Sequence, residues 1–107
     1  MSAIFDDIIR VGDVGITLKT NVTRIVSGVE QNVDLTTATG AEIILQKPSG
    51  EVLSAFTGTI TDALNGEVQY KDTVGVFDVA GRWKVRGRAI FATDNFKGSW
   101  HGFPVDE

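Results

Sequence analysis

The sequence has no cysteine, two prolines and one histidine among its 107 residues. Without cysteine the chain forms neither a disulfide framework nor a thiolate zinc site, so its stability must come from a core or from partner chains. Apolar runs are only a few residues long, and the first seven residues lack the basic region and apolar stretch of a signal peptide. The sequence therefore predicts no membrane-spanning segment and no signal peptide.

What the chain does contain is typical of one folded domain. A hydrophobic content of 42% with 22% charged residues separates it from disordered chains, and 107 residues suffice for a single core. The 12 glycines are spread evenly, which favours many short strands joined by tight turns. We predict an N-terminal arm at residues 1–13 and an all-β domain at residues 14–107.

The clearest strand lies at residues 82–91, where charged side chains occupy every second position. Arg82, Lys84, Arg86 and Arg88 alternate with apolar or small residues, including Trp83. A helix would scatter these cations around its circumference, whereas an extended chain places them on one face. This pattern predicts a strand with one face in the core and a ladder of four cations on the other.

The other strands are predicted from alternating side chains between turn residues. Ala41, Ile43 and Leu45 are expected to face the core, and the Asn65-Gly66 pair is the strongest reversal signal. We predict turns at residues 27–32, 48–50 and 62–66, an irregular crossing at residues 72–80, and strands at residues 16–20, 22–26, 41–47, 51–56, 57–61, 67–71 and 96–103. This spacing predicts an immunoglobulin-like antiparallel β-sandwich of about seven strands, with a small barrel as the alternative.

The N-terminal arm has an apolar side. If Ser2 caps a short helix, four apolar residues share one helical face: Ile4, Phe5, Ile8 and Ile9. The alternative is a loosely held arm that docks on a neighbouring subunit. Both interpretations make this apolar set a candidate interface.

No combination of residues predicts a reaction. His101, the only histidine, lies between Trp100 and Gly102 without a neighbouring nucleophile or orienting acid, so a structural role is expected. The acidic residues lack the spacing of a calcium loop, and the glycines do not form a phosphate-binding loop before a helix. We expect no catalytic residues, no metal site and no cofactor.

The cation ladder has three interpretations. It can be a solvated face balanced by Glu42, Glu51 and Glu67, an interface with acids of another chain, or a track for a nucleic-acid backbone. The formal net charge of −4 argues against general nucleic-acid binding. Ile44 and Ile90 are predicted to face outward and add a hint of a subunit contact.

The two tryptophans, Trp83 and Trp100, are both expected to fill the space between the sheets. If one of them were exposed beside polar groups, it could stack on a sugar ring. A carbohydrate-binding module for host attachment is therefore an alternative function.

Four motifs occur in a familiar order. Val33-Asp34-Leu35-Thr36-Thr37-Ala38 leads into a strand, and Lys47-Pro48-Ser49-Gly50-Glu51-Val52 forms a hairpin. Thr59-Ile60-Thr61-Asp62-Ala63-Leu64-Asn65-Gly66-Glu67-Val68 then precedes Ala80-Gly81-Arg82-Trp83-Lys84-Val85. This order resembles the immunoglobulin-like domains of tailed bacteriophages that are related to the N-terminal domain of the baseplate upper protein. The resemblance covers residues 14–104, and the arm at residues 1–13 departs from it.

The resemblance implies a structural protein with no catalytic residues and no cofactor. Such a protein would be assembled in the bacterial host cytoplasm as part of a virion, in several copies, as a homo-oligomer in contact with other virion proteins. The tail, baseplate or neck is the expected position, with capsid decoration as an alternative. The expected partners include no nucleic acid and no membrane.

Overall fold

The computed structural model describes residues 8–107, which form ten strands and no helix. The predicted all-β architecture is therefore confirmed for this part of the chain. The strands are β1 (Ile9–Arg10), β2 (Thr17–Asn21), β3 (Thr23–Val26), β4 (Val29–Asn32), β5 (Gly40–Gln46), β6 (Phe56–Asp62), β7 (Glu67–Lys71), β8 (Gly81–Ile90), β9 (Asn95–Lys97) and β10 (His101–Asp106).

Eight of these strands form one sheet, in the order β1-β10-β8-β5-β6-β7-β2, with β9 also paired to β8. β3 and β4 form a separate two-stranded sheet. The prediction of purely antiparallel strands is wrong at one edge, because β1 runs parallel to β10, with Ile9 opposite Val105. The pairing joins two stretches from opposite ends of the sequence, and local alternation carries no signal for such a contact.

The sheet curls into two layers at β6. The first half of β6 pairs with β5 and its second half with β7, with a register shift between Ile60 and Asp62. A strand shared in this way forms the corner between two layers. β2 then lies over β8, and a Cβ at Gly87 would come within 2.6 Å of Val22 Cγ2. Glycine at this position allows the two layers to approach.

The core lies between the layers. As predicted, Ala41, Ile43 and Leu45 are buried in it. Trp83 is fully buried against Phe77 at a ring-centroid distance of 5.1 Å, and its Nε1 donates to Val79 O at 3.0 Å. The core position predicted for Trp83 is confirmed.

The predicted turns and strand ends were partly wrong. The turn expected at residues 27–32 is confined to Ser27 and Gly28, which have positive φ, and β4 follows at once. The return strand expected at residues 51–56 is reduced to a single bridge between Val52 and Gln46. The last strand is divided into β9 and β10, and β10 continues past Pro104.

The crossing at residues 72–80 has no strand, as expected, and it is organised by one buried carboxylate. Asp72 accepts hydrogen bonds from the backbone N–H groups of Val74 and Val76 at 3.1 and 3.0 Å. Its own backbone N–H donates to Ile16 O at 2.8 Å. These bonds fix the path of the chain from β7 to β8.

The structure tests the predicted arm only at its end. Ser2, Ile4 and Phe5 lie outside the described residues. The prediction that a helix includes Ile8 and Ile9 is wrong, because Ile9 belongs to strand β1. Extended backbone separates the two side chains, so that Ile8 is 59% exposed and Ile9 is 2% exposed within the core.

Candidate functional site

The predicted ladder of cations is present on the outer face of β8. The side chains that point away from the core are those of Arg82, Lys84, Arg86 and Arg88. The three residues between them, Trp83, Val85 and Gly87, are buried. Their neighbours on this face come from β5, β9 and β10, because β8 pairs with all three strands, and Lys97 of β9 lies opposite Arg88. We call the surface formed by Glu42, Arg82, Lys84, Arg86, Arg88 and Gly102 the basic face.

Two of the four cations are held by the protein itself. Arg86 Nε donates to Gly98 O at 3.0 Å, and its guanidinium lies 4.4 Å from the centroid of Trp100. Burial lowers the pKa of Arg86 from its usual value. Arg88 Nη1 pairs with Glu42 Oε1 at 3.1 Å, and Nη2 donates to Asn95 Oδ1 at 3.3 Å. Glu42 was one of the three acids expected to balance the ladder.

The other two cations, Arg82 and Lys84, are exposed and make no ion pair within residues 8–107. Arg82 extends over Gly102 of β10, where an added Cβ would lie 2.9 Å from its Nε. The small residue on β10 thus lets the guanidinium lie close to the sheet. This half of the basic face presents two positive charges to solvent.

The isoleucines predicted on the outer surface lie where expected but differ in exposure. Ile44 points away from the core opposite Arg86, yet only 7% of its surface is exposed. Ile90 is half-buried at the end of β8. Ile44 therefore offers little apolar surface to a partner, and charge rather than apolar area distinguishes this face.

A polar cluster around His101 was missed by the sequence analysis. His101 Nε2 lies 2.6 Å from Glu30 Oε1, and Thr23 Oγ1 donates to the same oxygen at 2.7 Å. Thr20 Oγ1 lies 3.3 Å from His101 Nδ1. Hydroxyl, imidazole and carboxylate thus follow in an order resembling a hydrolase relay. Thr20 is only 1% exposed, so a substrate has no route to its hydroxyl.

The cluster ties the β3–β4 hairpin to the main sheet, since Thr23 and Glu30 belong to the hairpin and His101 to β10. A two-stranded hairpin is marginal by itself and needs such support. One signal was visible in the sequence, because Thr20 follows Leu18 at an inward position of β2. Its partners were not visible, since they lie up to 81 residues away.

We expect this cluster to make the stability of the protein depend on acid. Hydrogen bonds from His101 and from Thr23 lower the pKa of Glu30 from 4.5 to about 2. A carboxyl with a depressed pKa stabilises the fold above its unfolded value, and this contribution is lost as the pH falls from 4.5 towards 2. Because 35% of the side chain is exposed, the contribution is about 1 kcal/mol.

Urea unfolding of the parent and of Glu30→Gln at pH 7, 4 and 2.5 measures this effect. At pH 7 the variant should be less stable by about 1 kcal/mol, and at pH 2.5 most of this difference should be lost. Glu51→Gln is the control for a glutamate that makes no ion pair within residues 8–107. A difference between the parent and Glu30→Gln that stays constant across the pH range would contradict this role of the pair.

The structure offers little support for a carbohydrate-binding site. The core position predicted for Trp100 is wrong: it lies half-buried outside the core, with Arg86 against one face of its ring. An open groove elsewhere is lined by Val11, Asp78, Val79, Ala80 and Glu107, without an aromatic residue. Sugar recognition by stacking needs an accessible aromatic face over such a groove.

A search of residues 8–107 finds no group of three or more ligating side chains placed to hold a metal ion. The same residues include no helix with the length and hydropathy needed to cross a membrane. Comparison of the chain with models of known protein families, with curated proteins and with solved structures gives no match.

Proposed function

We propose that this chain is a non-enzymatic structural protein of a tailed bacteriophage virion. It acts through protein–protein contacts in a multi-copy assembly at the tail, baseplate or neck, with decoration of the capsid as the alternative position. In this proposal the two-layered domain is immunoglobulin-like, and the particle is assembled in the bacterial host cytoplasm. The assignment to a tailed bacteriophage is supported by the resemblance of the four sequence motifs.

The basic face is the observation that carries the proposed mode of action. Arg82 and Lys84 are presented side by side on a rigid strand, with no acid of residues 8–107 bound to them. Two like charges on the same face of one strand repel each other, and acids of a partner chain would relieve this repulsion. The buried position of Thr20 also favours a role without catalysis.

The proposal is tested in particles produced by the host that carries this gene. We expect mass spectrometry of purified particles to detect the chain, and antibody labelling to place it in the tail or neck. In a complementation assay, Arg82→Glu/Lys84→Glu should lower the yield of infective particles by about tenfold or more.

Arg24→Glu/Lys71→Glu is the matched control, since it makes the same change of charge at two exposed cations of β3 and β7 that are not part of the basic face. This variant should support a yield close to that of the parent. Purified particles that lack the chain would refute the proposed function. Equal losses of yield in both variants would refute the role of the basic face.

A further inference from the structure

The charges of this chain are divided between its surfaces. Glu42, Arg82, Lys84, Arg86 and Arg88 contribute a net charge of +3, whereas the whole chain carries a formal net charge of −4. Asp6 and Asp7 lie outside the described residues, so residues 8–107 carry −2 and those outside the basic face carry −5. A molecule with one cationic face and an acidic remainder is electrostatically complementary to a second copy of itself.

The complementary charges include three acids that we call the acidic edge: Asp34, Asp62 and Glu67. Asp62 and Glu67 are opposite each other where β6 meets β7. Asp34 lies in the adjacent segment, because Leu35 N donates to Ala63 O at 2.7 Å. Like charges at opposite positions of a strand pair are unfavourable unless a cation approaches them.

The acidic edge has hydrogen-bond donors but no cation from residues 8–107. Thr36 Oγ1 donates to Asp34, Asn65 Nδ2 to Asp62 at 2.9 Å, and Thr61 Oγ1 to Glu67 at 2.7 Å. The bonds from Thr36 lower the pKa of Asp34 below its usual value. These bonds also orient the carboxylates while leaving further acceptor positions on each of them.

We infer that the basic face, at Arg82 and Lys84, binds the acidic edge of a second copy of this chain. The inference rests on the proposed function and names a partner for the same face. Residues two apart on a strand are separated by about 7 Å, and opposite residues on paired strands by about 5 Å. The spacing of Arg82 and Lys84 therefore differs from that of Asp62 and Glu67 by only about 2 Å, which the long side chains of the two cations can span.

The proposed contact joins two different surfaces, so it is head-to-tail. Contacts of this kind extend into rings or chains instead of stopping at a two-fold dimer. Each copy then uses its basic face towards one neighbour and its acidic edge towards the other. This is the arrangement that a repeating part of an assembled particle requires.

Sedimentation velocity of the full chain at low and high salt is the first measurement. We expect concentration-dependent association at about 20 mM ionic strength, with the apparent dissociation constant rising about tenfold or more at 500 mM. Arg82→Glu/Lys84→Glu and Asp62→Lys/Glu67→Lys should each be monomeric. Arg24→Glu/Lys71→Glu, which changes exposed cations outside both surfaces, should associate like the parent.

Mixing two neutralised variants, Arg82→Gln/Lys84→Gln and Asp62→Asn/Glu67→Gln, gives the sharpest result. One retains its acidic edge and the other its basic face, and the two neutralised surfaces do not attract each other, so an equimolar mixture can form one contact and then stops. We expect a 1:1 heterodimer and no larger species. Gly102→Ala should weaken the association of the parent, because the new Cβ displaces Arg82 without changing the charge.

A parent chain that stays monomeric at low salt would overturn the inference, as would a mixture of the variants that forms no heterodimer. Loss of association in Asp6→Asn/Asp7→Asn, together with retention in Asp62→Lys/Glu67→Lys, would identify the N-terminal arm as the occupant and also overturn it. None of these results depends on finding the chain in a virion. Failure of this inference and failure of the proposed function are therefore distinguishable.

Discussion

Gly66→Ala is expected to destabilise the protein by about 3 kcal/mol or more. Gly66 has φ of +72°, a conformation that costs a residue with a Cβ roughly 1–2 kcal/mol. The new Cβ would also lie 2.6 Å from Val33 O and 3.0 Å from Val22 O. Both contacts are with backbone atoms, so no side-chain rotation relieves them. Thermal and urea unfolding measure the loss.

Gly28→Ala is the control for this prediction. Gly28 has φ of +79°, and an added Cβ would meet nothing within 4 Å. This variant should lose only the conformational part, about 1 kcal/mol. The excess in Gly66→Ala then measures how closely the β6–β7 turn packs on Val22 and Val33. Equal losses in the two variants would show that the turn has room for a side chain.

Trp83→Ala is expected to have a similarly large effect. Replacing a fully buried tryptophan by alanine costs about 3–5 kcal/mol, because transfer free energy is lost and a cavity remains. Loss of the bond from Nε1 leaves Val79 O without this donor, and Phe77 loses its edge-to-face partner. Out of a total of about 5–15 kcal/mol for a small domain, this loss brings the protein close to unfolding.

The second tryptophan provides the matched control. Trp100 lies half-buried outside the core against Arg86, so Trp100→Ala should cost about 1 kcal/mol. Calorimetry of both variants should give a fall in Tm several times larger for Trp83→Ala. Comparable decreases would mean that the outer stack contributes as much stability as the core. The same variants assign the tryptophan fluorescence of the parent.

Features that depend only on neighbouring residues were predicted correctly from the sequence. The outward cations of β8 and the inward Ala41, Ile43 and Leu45 follow from the two-residue period of a strand. The reversal at Asn65 and Gly66 follows from turn chemistry, which involves only adjacent residues. The burial of Trp83 was also predicted, because it alternates with the charges around it.

The errors arose where the structure depends on distant contacts. Val29–Asn32 forms a strand because it pairs with Thr23–Val26 and is tied by Glu30 to His101, 71 residues away. Ile9 lies in the core through its pairing with the last strand. Trp100 lies outside the core because the chain leaves the sheet between β9 and β10. The single strand predicted at residues 96–103 is therefore two strands.

The sequence predicted where the four cations of the basic face lie, but not which of them form contacts with other residues of the chain. The sequence placed four cations on one face, yet it could not tell which of them the chain itself would neutralise. Arg88 meets Glu42 only because β5 lies beside β8, and Arg86 is held only because Gly98 and Trp100 approach from the following loop. Among residues 8–107 these pairings leave Arg82 and Lys84 without an acid partner.

The order of residues along the chain was enough to predict an all-β domain, the inward and outward faces of its main strands and the location of two of its turns. Each of these depends on the geometry of a few consecutive residues. The curl of the sheet at β6, the parallel edge at β1 and the cluster around His101 depend on tertiary contacts that no local pattern predicts. Those features come from strands that are far apart in sequence, and their energies exist only once the layers have packed together.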